Sequence, residues 1–333
     1  MKKHKELNMQ RVLVTGSTGF IGWEVARLLA EEGMHPRLLV RRMQRGILVS
    51  PLDAEPVNGD LSSPSSLQRA VQGVDTVIHL AARASFEAYR YVKPSIVDGS
   101  ANLMDAAVRA GVRCFVYASS LLVYSDQREP IDRKTPVRPI SDYGRAKVEA
   151  ERVLLGKAQD AGVAFCAIRL PHVYGARDAV FETIRRGMLL VPGRGLNVYA
   201  HLHVRDAARS LVECARQRFQ GIIPVADDEP ATWREFFDVV KRYYPTFRKL
   251  SVPSPLSMAG ALFLQTMAHL RGWQTLETPA GVRSWNLNLP VRKGLLWEEL
   301  GIKPRYATIH EGIPAVLDDC VAYRWIHPLH DHR

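Results

Sequence analysis

The stretch Val12-Leu13-Val14-Thr15-Gly16-Ser17-Thr18-Gly19-Phe20-Ile21-Gly22 constrains the fold more than any other part of the chain. Val12 to Thr15 is a short apolar, β-branched run that reads as a buried strand. Three glycines follow at three-residue spacing, and Trp23 to Glu32 then has the apolar periodicity of an amphipathic helix. A strand, turn and helix in this order suit a pyrophosphate. Gly16 permits the tight turn, Gly19 lets backbone approach the phosphates without a Cβ in the way, and Gly22 lets the helix pack closely on its strand. The helix start adds unpaired N–H groups and the positive end of a dipole. The spacing is G-x-x-G-x-x-G and not the commoner G-x-G-x-x-G. A glycine-rich turn can also be plain structure; its place directly after the first strand favours the ligand-holding reading.

Strand and helix patterns then alternate. Arg37 to Val40 reads as a second strand ending in Arg41-Arg42, and Val57 to Leu61 as a third ending in a polar turn at Asp60, with a helix beginning near Pro64. Val74 to Ala82 reads as a buried strand whose small residues Ala81 and Ala82 admit close approach of a ligand. Val92 to Ala110 reads as a helix, Cys114 to Ala118 as a strand, Asp142 to Ala161 as a helix and Ala164 to Ile168 as a strand. This succession predicts an α/β protein with a doubly wound parallel sheet. Prolines and glycines become denser after Pro171. The expected division is a dinucleotide-binding core over residues 8–175, with 197–228 packing back onto it. A smaller substrate-binding lobe is expected from 176–196 and 229–333.

In such folds the side chain that reads the adenosine ribose stands about 20 residues beyond the glycines. An acidic residue there binds the 2′-hydroxyl of NAD. Here Arg41 and Arg42 occupy the place, and guanidiniums suit the 2′-phosphate of NADP. NADP(H) is therefore the preferred cofactor and NAD(H) the alternative; a pair of ordinary surface arginines is the bland reading. Asp60 either accepts from the adenine amino group or caps the following helix. His79 reads as a packed core histidine.

The net charge of +11 fits a basic soluble surface, an anionic lipid or a phosphorylated ligand. No basic run is interleaved with aromatics, which speaks against nucleic acid. Lys2, Lys3, His4 and Lys5 read as a solvated tail. The four cysteines, Cys114, Cys166, Cys214 and Cys320, lie far apart and read as reduced core thiols, with no metal site expected. No signal-type segment follows the basic start, so a cytoplasmic protein is expected. The apolar stretch Pro255 to Leu270 is too short and too interrupted by Ser257, Gly260, Gln265 and His269 to span a bilayer.

The chemistry centres on Tyr143 and Lys147, four apart in the expected helix and so on one face. An ammonium beside a phenol favours phenolate and draws its pKa down toward neutrality. Such a tyrosine exchanges a proton with the oxygen of a carbon undergoing hydride transfer. Ser120, ending the preceding strand, is placed to hold the same oxygen. A Tyr–Lys pair alone is weak evidence; its position downstream of the glycine loop and after Ala118-Ser119-Ser120 strengthens it.

Together with Gly59-Asp60-Leu61, His79-Leu80-Ala81-Ala82, Arg169-Leu170-Pro171-His172-Val173-Tyr174-Gly175, His203-Val204-Arg205-Asp206 and Leu300 to Arg305, these motifs resemble the extended short-chain dehydrogenase/reductase superfamily, its epimerase/dehydratase-like branch. The resemblance implies a Rossmann core and catalytic roles for Ser120, Tyr143 and Lys147. It places Gly16, Thr18, Gly19, Phe20, Ile21, Gly22, Asp60, Leu61, Leu80, Ala81 and Ala82 against the cofactor, with Pro171, His172 and Val173 near the nicotinamide. It also implies a homodimer built on the helix bearing Tyr143.

Departures from the family pattern narrow the function. Ile96 stands where many relatives carry a proton-relay asparagine, and Asn102 is a poor substitute by spacing. Leu121-Leu122 replaces the acidic residues that drive water loss in dehydratases. Where nucleotide-sugar epimerases tend to carry an asparagine and a diphosphate-binding arginine, this chain has His172 and Tyr199. The remaining likeness is to 3β-hydroxysteroid dehydrogenase and dihydroflavonol reductase-like members. The expected activity is interconversion of a secondary alcohol and a ketone, or reduction of an aldehyde, on a lipophilic small molecule. An epimerase with bound NAD and a non-catalytic cofactor-binding regulator are the alternatives. Residues 255–268 are expected to be a flap over the substrate, a peripheral membrane contact, or a helix buried against the core.

Overall fold

A computed structural model of the chain describes residues 9–271, 275 and 277–322. The basic tail at Lys2 to Lys5, the first residue of the expected core and the last eleven of the expected lobe lie outside the described residues.

The central sheet joins β1 (Val12–Thr15), β2 (Arg37–Val40), β3 (Glu55–Asn58), β4 (Thr76–His79), β5 (Cys114–Ser120), β6 (Ala164–Leu170) and the later strand Gly221–Pro224. Its order, from that later strand, is β6, β5, β4, β1, β2, β3, and every pairing is parallel. Parallel strands are covered on both faces, so successive residues enter different cores. Val12 and Val14 of β1 join one apolar cluster while Leu13 joins the other, and β5 divides in the same way, with Val116 on one side and Phe115 and Tyr117 on the other. Helices α1 (Phe20–Glu31), α2 (Pro64–Val71), α3 (Tyr89–Lys93), α4 (Gly99–Arg109) and α5 (Asp142–Ala161) complete the wrapped core. The strand order reverses between β1 and β4, and a doubly wound sheet opens its ligand crevice at the carboxyl ends of such strands.

Several boundaries differ from the sequence reading. Helix α1 begins at Phe20, a turn ahead of Trp23, because the extended backbone of Gly19 serves as its N-cap. The third strand is Glu55–Asn58 and not Val57 to Leu61, since Asp60 and Leu61 form the turn that follows. The fourth ends at His79, before the expected Ala82. The helix read from Val92 begins at Tyr89 and passes through a wide turn at Pro94–Asp98. Proline lacks an N–H and cannot complete regular helical bonding there.

Beyond β6 come β7 (His172–Tyr174), α6 (Ala179–Arg185), β8 (Met188–Pro192), β9 (Val198–Tyr199), β10 (His201–His203), α7 (Val204–Arg216) and β11 (Gly221–Pro224), the last being the sheet's outermost strand. The chain continues through β12 (Ala231–Thr232), α8 (Trp233–Tyr243), β13 (Arg248–Val252), α9 (Ser254–Arg271), α10 (Pro279–Trp285), α11 (Leu295–Leu300) and α12 (Ile309–Ala322). Three two-stranded pairings, β7 with β10, β9 with β12 and β8 with β13, carry the segments outside the sheet. The carboxylate of Asp206 in α7 accepts from the N–H groups of Arg305 at 2.7 Å and Tyr306 at 2.8 Å, tying the C-terminal segment back. All four cysteines are free and buried.

One very close backbone approach is at Gly22. A Cβ there would lie 2.2 Å from the Gly16 carbonyl oxygen, so the turn and helix are locked together. Gly22→Ala is expected to cost about 1–3 kcal/mol, the usual range for overpacking. Urea unfolding measures this, and unchanged stability would refute the close approach.

Candidate active site

Helix α5 is held against the end of β5 by two local features. The Ser141 hydroxyl caps it by accepting the Gly144 N–H at 3.1 Å. Gly144 then packs so tightly that a Cβ would stand 2.1 Å from the Leu122 carbonyl oxygen. Because Leu122 follows Ser120 in a short turn, this docking brings the first turn of α5 over the end of β5. Ser120 Oγ accepts the Leu122 N–H at 3.2 Å and lies close enough to the Tyr143 oxygen to favour its ionised form. Lys147, one turn on and buried, donates to the Ala118 carbonyl at 2.7 Å, with its Nζ 5.8 Å from the centre of the Tyr143 ring. The structure thus brings Ser120, Tyr143 and Lys147 together.

The electrostatics differ from the sequence expectation. Burial pushes the Tyr143 phenol up to about 12, with the Ser120 hydrogen bond pulling the other way. Burial also drives the Lys147 ammonium down to about 7, with the Glu151 carboxylate holding it up. The ammonium therefore does not draw the phenol toward neutrality. Its hydrogen bond is spent on Ala118, and both groups suffer desolvation. Tyr143 is protonated at neutral pH and is poised as a donor.

Behind the trio is a fully bonded ionic cluster. Glu151 takes two hydrogen bonds from Arg169, at 3.0 and 2.7 Å, and one from Ser119 at 2.5 Å. Arg169 also donates to the Tyr124 hydroxyl at 2.7 Å. The sequence reading missed Glu151, although it lies four residues beyond Lys147 on the same helix face.

The glycine loop lies at the reversal point of the sheet. Gly16 has φ +75°, and a Cβ on it would meet the Ala81 nitrogen at 2.8 Å. Thr15 Oγ1 accepts the Ala81 N–H at 3.2 Å and bonds His79 Nδ1 at 2.6 Å, while His79 Nε2 bonds Ser100 Oγ at 2.8 Å. Burial pushes His79 down to about 3, so it is a neutral core residue that fixes Leu80, Ala81 and Ala82 beside the loop. Thr18 and Gly19 stand at the surface, and Ile21 packs on the core. Phe20 reaches Gly175, where a Cβ would meet its ring at 2.9 Å, and so joins the loop to the segment after β6. Two features fit a dinucleotide diphosphate here. Among the described residues no side chain caps α1, which leaves its first-turn N–H groups available, and the buried Ser17 hydroxyl has no hydrogen-bond partner.

Arg41 and Arg42 are exposed just past β2, on the flank where Arg41 helps to hold the Asp60 carboxyl low. The larger causes of that shift are the N–H and hydroxyl of Ser62, at 2.8 and 2.7 Å. Asp60 thus fastens its own turn, and Ser63 occupies the N-cap of α2. Leu61 packs under Gly99, and its carbonyl accepts from Asn102 at 3.0 Å. Asn102 is therefore engaged beside Leu61. Ile96 is buried, its carbonyl accepting from Ser100 at 2.7 Å.

Pro171, His172 and Val173 are half-buried beyond β6. His172 Nδ1 lies 3.0 Å from His201 Nδ1, its ring is 4.7 Å from that of Trp233, and burial drives it down to about 3. Two further side chains surround Tyr143. The Phe86 ring is 6.3 Å away, on a segment fastened by Arg83 to Glu87 at 2.6 and 2.8 Å. Tyr199 is buried against Trp233 at 5.3 Å, and its ionisation is opposed first by burial and then by the nearby Tyr143 phenol. Phe86 carried no signal in the sequence because its segment is irregular.

Fold and glycine loop together define the class of an NAD(P)-dependent oxidoreductase. The family model described as "NAD dependent epimerase/dehydratase family" matches residues 12–224, and the chain belongs to that family. A ceramide reductase of Caulobacter vibrioides is 31% identical over 312 residues, covering 91% of this chain and 89% of the relative. A 3-beta-hydroxysteroid dehydrogenase of Mycolicibacterium neoaurum is 32% identical over 305 residues, covering 83% and 79%. Among solved structures, MoeE5 in complex with UDP-glucose and NAD superposes with a TM-score of 0.76 over 94% of this chain and 99% of its own, at 23% identity. That likeness shows the fold.

The depressed Lys147 pKa has a testable consequence for stability. Below about pH 7 the lysine is charged in both folded and unfolded chains, and the folded one bears the full desolvation cost. Between there and the ordinary value of 10.5 only the unfolded chain holds the proton, and the cost diminishes. Lys147→Met should therefore gain most over the parent below pH 7 and lose that advantage steadily toward pH 10. Melting temperatures across this range test it; a pH-independent difference would refute the shift.

Proposed function

We propose that this oxidoreductase interconverts a secondary alcohol and a ketone, or reduces an aldehyde, on a largely apolar molecule, with NADP(H) as cofactor. The observation that carries the substrate class is Tyr199. Where a nucleotide-sugar enzyme tends to place a cation for a diphosphate, this chain buries an aromatic ring against Trp233, and Phe86 faces Tyr143 from another side. An aromatic wall favours hydrocarbon over a charged nucleotide. The relatives named for ceramide and for a 3-beta-hydroxysteroid agree with this reading.

A bound nicotinamide would supply or accept the hydride. Ser120 orients the substrate oxygen, Tyr143 gives its proton to that oxygen in reduction and takes it back in oxidation, and Lys147 holds the ribose side of the site. The glycine loop and the start of α1 would hold the diphosphate, with Leu80 to Ala82 alongside. Arg41 and Arg42 would hold the 2′-phosphate. The epimerase reading rests on likeness of fold.

The decisive experiment is turnover of ketones of rising chain length. Specificity should rise by about 0.8 kcal/mol per buried methylene until the site is full, and Tyr143→Phe should lose about 10²-fold or more in turnover while remaining folded. A flat series with tight binding of UDP would replace this reading by the epimerase one.

Cofactor choice is tested separately. NADPH should bind more tightly than NADH, and the double substitution Arg41→Ala, Arg42→Ala should erase most of the gap, since charge-assisted bonds contribute roughly 1.5–3 kcal/mol. Equal dissociation constants in the parent protein would contradict the assignment.

A further inference from the structure

Helix α9 packs in an unusual way. Of its 18 residues only Ala261 and Ala268 are buried, seven positions apart and so on one face. Leu256, Phe263 and Leu270 repeat at the same interval on a different face and are 64%, 63% and 73% exposed. Leu262 and Leu264 flank this stripe and are also exposed. The helix therefore meets the body of the protein through alanine and turns its large apolar side chains to solvent, the reverse of an ordinary surface helix. This overturns the expectation of a helix buried against the core. The strand leading into it continues the pattern. Leu250 of β13 pairs with Leu190 of β8, Arg248 pairs with Met188, and all four are exposed.

The charge within this segment of the chain is one-sided, with Glu87 the acidic residue across the cleft from α9. From Val239 to Leu276 the sequence contains no aspartate or glutamate, but it holds Lys241, Arg242, Arg248, Lys249 and Arg271. Lys249 has Asp238 as a partner at 3.3 Å, while Lys241, Arg242, Arg248 and Arg271 are exposed. Exposed apolar side chains in a segment whose exposed charges are all cations match an anionic lipid bilayer, which offers hydrocarbon beneath negative headgroups. A second copy of the chain would set like charges against one another, so the charge argues against self-association.

The same helix also faces the segment that follows Phe86. A cleft of about 360 Å³ runs between Leu262, Thr266, His269 and Leu270 of α9 and the segment Glu87 to Tyr91. That segment follows Phe86, whose ring faces Tyr143.

We propose that α9, with the exposed face of β8 and β13, seats the protein on an anionic bilayer, and that a lipophilic substrate passes from the bilayer along this cleft toward Tyr143. The second half rests on the function proposed above; the docking itself does not.

The test uses the full chain with vesicles of phosphatidylcholine alone or mixed with phosphatidylglycerol, read by co-sedimentation. Binding should be at least tenfold stronger to the mixed vesicles and should weaken in high salt. Leu256→Ser with Phe263→Ser, both outside the cleft and the core, should lower it at least tenfold. The same variant should slow turnover of a vesicle-borne long-chain ketone and leave that of a short soluble ketone unchanged. Equal binding to both vesicles, no loss in the variant, or a variant that converts a dimer to a monomer without affecting vesicle binding would overturn docking. Unchanged turnover of the vesicle-borne ketone by the non-docking variant would overturn delivery. Absence of turnover with every ketone would defeat the proposed function while leaving the docking result to stand on its own.

Discussion

The arrangement of the site depends on the buried ion pair between Arg169 and Glu151. It joins β6 to α5 from behind, and through Ser119 and Tyr124 it also grips both sides of the turn that follows β5. Desolvating two charges is costly, and an interior pair is tolerated when its geometry is good and its remaining hydrogen-bonding groups are satisfied. Here the carboxylate receives three donors, and the guanidinium also reaches a phenol. Removing either partner would strand a charge in the core. The pair therefore fixes helix and strand ends in one relation, and the positions of Ser120, Tyr143 and Lys147 follow. Its negative member also keeps Lys147 from losing its proton more readily still.

Much of this was legible in the residues. Regular periodicity gave the alternation of strands and helices, and Asp142 to Ala161 was read at the bounds the structure has. Side chains four apart on one helix made Tyr143 and Lys147 a pair before any coordinate was considered. What escaped the sequence reading was either irregular or dependent on burial. The start of α1 depended on the backbone of Gly19. The ionisation of Tyr143 was misjudged because sequence spacing reports a neighbouring charge but not the removal of water from both groups. Phe86 lies on a segment that has no period. The outward face of α9 was also hidden, since apolar composition alone does not say which side meets the protein.

The segments outside the central sheet are joined to one another by aromatic packing. Trp233, at the start of α8, stacks on Trp285 at 3.9 Å and also meets Tyr199, His172 and His201. One indole thus touches both α10 and the short strands that follow β6. Its placement is set by the capping of α8, where Thr232 and Glu235 satisfy each other's backbone groups in a reciprocal box. A local sequence rule at one helix start thereby orients the wall facing Tyr143.

The buried histidines give the molecule a particular relation to acid. His79, His172 and His203 are each driven down to about 3 by burial, and each takes up a proton when the chain unfolds in the interval below 6.5. On their own they would make stability fall as pH drops through that interval. Asp178, pushed up to about 7, and Asp227, whose two carboxylate oxygens lack partners and whose pKa is also raised by burial, do the opposite. Each holds a proton in the folded chain that the unfolded chain releases above 3.8. Between about pH 4 and 6.5 the two sets exchange protons in opposing directions, so their effects on stability offset in part. Below that interval Asp178 and Asp227 are protonated in both states and no longer oppose the imidazoles. The direction in which acid acts on the fold thus follows from which buried residues are histidine and which are aspartate.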